Sequence, residues 1–125
     1  MRLLLDSHVL LWWSGLQSGR LPPAITRAIG EAEQLFVSVV TIWELEIKRN
    51  TGKISFSPDV WARVEALGVS WLPVGRDDAV AAGRLPLLHR DPFDRMLIAQ
   101  AMQRGLTLAT ADRTLSDYGV AILAV

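Results

Sequence analysis

Four carboxylates, Asp6, Glu44, Asp94 and Asp112, stand where apolar segments begin or end. Asp6 follows Leu3-Leu4-Leu5, and Asp112 follows the run Leu106 to Ala111. In a parallel sheet, groups just past the carboxyl ends of neighbouring strands converge in one crevice. Acids gathered there repel: at about 5 Å and an effective dielectric near 20, each pair costs roughly 3 kcal/mol. Several such pairs would consume most of a small domain's stability. A divalent metal removes that cost, and hard Mg2+ or Mn2+ prefers oxygen ligands. The chemistry that follows is metal-dependent phosphodiester hydrolysis.

Each acid also has a plainer explanation. Asp6 could be a helix N-cap, since aspartate caps well. Glu44 could be an exposed partner of Lys48 four residues on, while Glu46 falls on another face and reads as solvated. Asp91 precedes Pro92, the pattern of a cap with proline at the first helical position. Asp94 then shares a face with Ile98 and Ala101 and points inward at a helix start, where the dipole favours a negative charge. Asp91 therefore fits a cap better than a ligand, and Asp94 the reverse. Asp112 could be a turn residue; Asp117 reads as surface. His8 and His89 lack metal-ligand spacing, and His8 reads as structural. Arg90, Arg95 and Arg113 flank the acids and are candidates for gripping phosphate, equally well explained as surface arginines. The chain has no GxxxxGK[ST] or GxGxxG element, so triphosphate hydrolysis and dinucleotide binding drop out.

The elements that must position these residues alternate between strand and helix. Strands are expected at 2–5, 35–39, 69–74, 107–110 and 120–123. Pro73 marks the third as an edge candidate. Helices are expected at 9–13, from Pro22-Pro23 to about 34, 41–50, 76–84 and 92–104. One more should open at Ser57-Pro58-Asp59, with serine as cap, and run to Leu67. Residues 85–87 read as a linker. Strands separated by helices imply parallel pairing with helices on both faces, a three-layer α/β/α sandwich. Residues 1–125 read as a single domain.

Half of the residues are apolar, which argues against disorder. The absence of cysteine excludes disulfides, thiolate metal sites and cysteine catalysis. It fits a reducing cytoplasm, and no stretch reads as a membrane span or signal peptide. Thirteen basic residues balance thirteen acidic ones, which argues against broad electrostatic attraction to nucleic acid but not against a locally steered substrate. Five tryptophans are many for this length. Most should be core, with some left for a partner surface.

Four segments recur in one order: Asp6-Ser7-His8 after a strand; Ser38-Val39-Val40-Thr41-Ile42-Trp43-Glu44-Leu45; Asp94-Arg95-Met96-Leu97-Ile98-Ala99-Gln100-Ala101; and Leu108-Ala109-Thr110-Ala111-Asp112. Together they resemble the PIN-domain ribonucleases, specifically the VapC-type toxins of toxin–antitoxin modules. The stretch from His89 to Arg95 resembles one subgroup of them. The resemblance runs from residue 3 to about residue 123. It implies a doubly wound parallel sheet of about five strands, Mg2+ or Mn2+ dependence, RNA cleavage, a homodimer and inhibition by a cognate VapB-type antitoxin. The family's acids carry over to Asp6, Glu44, Asp94 and Asp112 as catalytic and metal-binding residues, with Thr110, Asp91 and Arg95 as supporting candidates. Two alternatives compete. A receiver-like Mg2+-binding domain would need paired acids after the first strand and a late lysine, yet Asp6 stands alone and the only lysines are Lys48 and Lys53. The other is an interaction module that kept the fold while its pocket lapsed into structure; with all four acids present, nothing in the sequence favours it.

Overall fold

The computed structural model describes residues 1–124. β1 (Arg2–Leu5) leads into α1 (Ser7–Ser14), α2 (Pro23–Glu31), β2 (Gln34–Ser38), α3 (Val39–Asn50) and α4 (Val60–Ala66). β3 (Ser70–Leu72), α5 (Arg76–Arg84), α6 (Pro92–Arg104), β4 (Thr107–Thr110), a 3-10 helix (Arg113–Tyr118) and β5 (Ile122–Ala124) complete the order. All pairings are parallel, in the order β3-β2-β1-β4-β5. β3 is an edge strand, as Pro73 suggests.

Alternation along β1 assigns the layers. Leu3 and Leu5 pack with Val9, Leu10, Ile25, Ile29, Leu45, Val60 and Val64, the helices of one face. Leu4 packs with Leu97, Ile98, Ala101, Leu115 and Tyr118 on the other. The three-layer sandwich expected from the sequence is what forms. The strand order disposes of the receiver-like alternative, whose flavodoxin-like sheet runs 2-1-3-4-5. Here the order reverses at β1, so the crevice opens between β1 and β4.

Several boundaries move. α1 starts at Ser7 because Asp6 is its N-cap. α2 ends at Glu31 and β2 begins at Gln34, whose register partner is Arg2. α3 starts at Val39, capped by the Ser38 hydroxyl on the Val40 N–H. Ser57-Pro58-Asp59 forms a turn rather than the first helical turn; α4 begins at Val60, and no side chain caps it. β3 is only three residues, and β5 begins at Ile122 rather than 120. The 3-10 helix had no counterpart in the sequence reading. No tryptophan is fully buried: four are half-buried and Trp43 is 62% exposed. Among the described residues no helix is long and apolar enough to cross a membrane.

α5 is fastened to α6 by an ion pair between the buried Asp78 and the half-buried Arg104. Arg104 donates to both Asp78 oxygens at 2.6 and 2.8 Å. That pair holds the Asp78 carboxyl below the usual carboxylate range, aided by a bond from the Gly75 N–H. It fixes where the loop between α5 and α6 must return, and that loop leads directly to Asp91 and Asp94.

Candidate active site

Asp6, Ser7, His8, Glu44, Lys48, Asp91, Asp94, Ala111 and Asp112 line one cavity of about 230 Å³ at the carboxyl ends of β1 and β4. All four sequence-assigned acids are there, and Asp91 joins them. A larger hollow of about 480 Å³ lies at the amino ends of β2 and β3, lined by Glu33, Gln34 and Ser70 among others, without clustered acids.

The buried Asp6 serves three elements at once. One oxygen accepts from the Val9 N–H (2.9 Å), capping α1. The other accepts from the Thr110 hydroxyl (2.6 Å) and the Ala111 N–H (3.0 Å), beyond β4. The cap explanation and the site explanation are therefore both true of this residue. The same Thr110 oxygen accepts from the Asp112 N–H (3.0 Å), so Thr110 splints the first acid to the last.

Glu44 is held from both sides, by the Ser7 hydroxyl and by Lys48 Nζ at 3.2 Å. The plain i,i+4 pair exists, and it lies within the cavity wall. Glu46, expected to be solvated, is part-exposed beside Arg49 and also accepts from Trp61 Nε1 at 2.8 Å, which fastens α3 to α4. Asp91 caps α6 as read, accepting from the Phe93 and Asp94 N–H groups. Asp112 caps the 3-10 helix, accepting from Thr114 N (2.9 Å) and Thr114 Oγ1 (2.5 Å).

Asp94 differs from the rest. No hydrogen bond among the described residues reaches its carboxylate. Burial, followed by the charges of Asp91, Asp6, Glu44 and Asp112, pushes its carboxyl up to about 7. Asp112 moves the other way: the Thr114 hydroxyl holds it below the usual range, with help from the nearby His89 ring. At neutral pH one acid is ionised while another half-retains its proton, a negative cluster offset only by Lys48 and of the kind a cation relieves. Among the described residues no three acids or histidines stand close enough to enclose a metal ion as they are. The donor set, all hard oxygen, fits Mg2+ or Mn2+.

Two expectations need correcting. Arg95 does not reach toward phosphate: it is buried, and both terminal nitrogens are spent on carbonyls. Nη1 donates to Pro86 O and His89 O, and Nη2 to Ala82 O and Leu85 O, with the Tyr118 hydroxyl alongside. Its support is indirect, through the loop that precedes Asp91. His8, read as structural, is exposed on the cavity wall with its ring 5.7 Å from Trp12. Ser7 was missed altogether, since nothing in one sequence announces a bond to a residue thirty-seven positions away. Arg90 and Arg113 are exposed and free of the contacts that bury Arg95.

The chain belongs to the PIN-domain family, whose model matches residues 3–121. Ribonuclease VapC22 of Mycobacterium tuberculosis is 34% identical over 118 residues, covering 92% of this chain and 90% of that protein. Among solved structures, a chain of the DNA-bound VapBC2 complex from Rickettsia felis superposes with a TM-score of 0.73 at 10% identity. It covers 99% of this chain and 98% of that one. A chain of DNA-bound VapBC from Salmonella typhimurium gives 0.72 at 20% identity over the same shares. These two likenesses concern the fold.

Proposed function

We propose that this chain is a divalent-metal-dependent endoribonuclease, the toxin of a VapBC-type pair, with residues 1–125 working as one PIN domain in the cytoplasm. The observation that carries this is the convergence of Asp6, Glu44, Asp94 and Asp112 in one cavity, with Asp94 left short of a counter-charge. The 34% identity to Ribonuclease VapC22 supports RNA as the substrate. Retention of every acid tells against a lapsed module.

Asp6, Asp94 and Asp112, with Glu44 completing the pocket, would hold Mg2+ or Mn2+. When bound, the ion supplies an acidified water and neutralises charge on the phosphoryl group in flight. The protein's own part is positional. Thr110 and the Val9 and Ala111 amides fix the Asp6 oxygens, and Ser7 and Lys48 orient Glu44; Asp94, raised to about 7, would have to shed its proton to serve as a ligand. No protein nucleophile is required.

The direct test incubates antitoxin-free protein with fluorescently labelled RNAs in Mg2+, in Mn2+ and in EDTA, beside Asp6→Asn. Cleavage is expected in either metal, none in EDTA and none by the variant. Equal cleavage by both proteins, or cleavage in EDTA, would overturn the assignment.

A homodimer and a VapB-type antitoxin complete the proposal. Val39, Trp43 and Ile47, four residues apart, form an exposed apolar stripe along α3, with Phe93 packed edge-on to Trp43 at 5.4 Å. Such a stripe favours a partner surface, and we assign it to the second copy. The protein should sediment as a dimer and Trp43→Arg as a monomer with unchanged circular dichroism. A monomeric parent, or a variant still dimeric, would refute the seam.

A further inference from the structure

A chain of hydrogen bonds leads out of the acid cavity to a residue the nuclease reading does not use. His89 lies in the loop between α5 and α6, and its ring nitrogen Nε2 is 2.9 Å from Thr114 Oγ1. Thr114 Oγ1 is in turn 2.5 Å from Asp112 Oδ1. A threonine hydroxyl owns one hydrogen, and an ionised carboxylate can only accept. Thr114 therefore spends its hydrogen on Asp112, and its contact with His89 must be one it accepts. Nε2 of His89 carries the hydrogen.

The ring is aimed from three sides. The His89 N–H donates to the Tyr118 hydroxyl at 2.7 Å. The imidazole packs on the Tyr118 ring with centroids 5.8 Å apart. The His89 carbonyl accepts from the buried Arg95. Tyr118 completes its own bonding by donating to Pro86 O at 3.0 Å. The bonded loop backbone and the Tyr118 ring together place the half-buried imidazole where Nε2 meets Thr114.

The consequence falls on Asp112. Its Oδ1 is occupied by the Thr114 N–H and hydroxyl, which leaves Oδ2 as the oxygen available to the cavity. We infer that His89 is a positioning residue for Asp112, acting through the Thr114 hydroxyl to hold that carboxylate in the orientation that binds the metal. This rests on the metal-dependent nuclease reading above. Because His89 and Asp112 approach the cavity from different loops, the link also makes the orientation of a β4 acid depend on the α5–α6 connection.

The test is Mn2+ binding by isothermal titration calorimetry on the intact protein at pH 8, with RNA cleavage as a second readout. Loss of a partner that orients a metal ligand typically weakens affinity 10- to 100-fold. His89→Ala should weaken Mn2+ about tenfold or more while remaining folded by circular dichroism. Thr114→Val should do the same, and the double variant should be no worse than either single one, since both cut the same chain. His89→Gln, whose side-chain amide can donate from a similar place, should recover most of the affinity. Unchanged Mn2+ affinity in His89→Ala, additive losses in the double variant, or a glutamine no better than alanine would each overturn the positioning role. A parent protein that binds no Mn2+ would bring down the metal-dependent reading itself, and the positioning role with it.

Discussion

Asp94→Asn is expected to make the metal-free protein harder to unfold at pH 8 and, in the same stroke, to abolish Mn2+ binding and RNA cleavage. The reason is linkage. Asp94 has a folded-state pKa of about 7, against 3.8 as its ordinary value, owing to burial and then to four neighbouring acids. A group raised in this way contributes stability that is fully present below pH 4 and lost as pH climbs through 7. The loss is on the order of 2–4 kcal/mol by pH 8. Asparagine keeps the shape and never takes the charge. Its advantage should be a Tm rise of roughly 8–15 °C at pH 8, shrinking toward nothing near pH 4. Mn2+ should raise the Tm of the parent and leave the variant where it was. Because the metal must displace a proton, parent affinity should fall about tenfold per pH unit below 7. Thermal melts at pH 4, 6 and 8, with and without Mn2+, check all of this together. A variant less stable than the parent at pH 8 would mean the acids do not strain the fold.

Arg95→Met is expected to be among the most damaging single changes, though Arg95 touches no acid of the site. Its guanidinium is buried without a carboxylate partner and gathers the carbonyls of Ala82, Leu85, Pro86 and His89. Ala82 belongs to the last turn of α5 and Leu85 follows it, so the cation also meets the negative end of a helix dipole. Methionine fills comparable space and supplies no donor, leaving those carbonyls under-satisfied. Hydrogen bonds from charged groups contribute about 1.5–3 kcal/mol each, and losses within one cluster are not additive. A cost of about 3–5 kcal/mol follows, readable as a lowered urea midpoint. Arg95→Lys should recover only part, because an ammonium has three donors and no planar fork. A change below about 1 kcal/mol would show that the loop holds its shape without the clamp.

That contrast between Asp94 and Arg95 marks where sequence reasoning succeeds and where it ends. Asp94 was legible because local grammar determines its place: Asp91 caps, Pro92 opens the helix, and the third position shares a face with Ile98 and Ala101, both fully buried. Asp6 and Asp112 were legible for a similar reason, each following a run of strand residues. Arg95 sits beside Asp94 in the chain, and of its two sequence readings, phosphate grip or surface arginine, neither describes the buried side chain. Its direction is decided by carbonyls of a loop that exists only once α5 has docked through Asp78 and Arg104. Glu46, tied to Trp61, and Ser7, tied to Glu44, were opaque on the same ground. The displaced start of α4 has a different cause. Ser57-Pro58-Asp59 carries capping residues, yet the Val60 N–H bonds to Ser57 O as a turn, and the helix begins where the buried Val60 meets the core.

The bond between Thr110 and Asp6 joins residues 104 positions apart. β1 sits at the centre of the sheet and can pair with β4 only after every element between them has been synthesised. Such non-local closure delays folding. It also has a safeguard in it: a nascent chain still short of residue 110 lacks both the last acid and the splint that fixes the first. On the nuclease reading proposed above, a ribosome would carry an inert polypeptide until these residues have emerged. Only a chain past that point would be able to cleave RNA, by which time a partner made nearby could already be waiting for it.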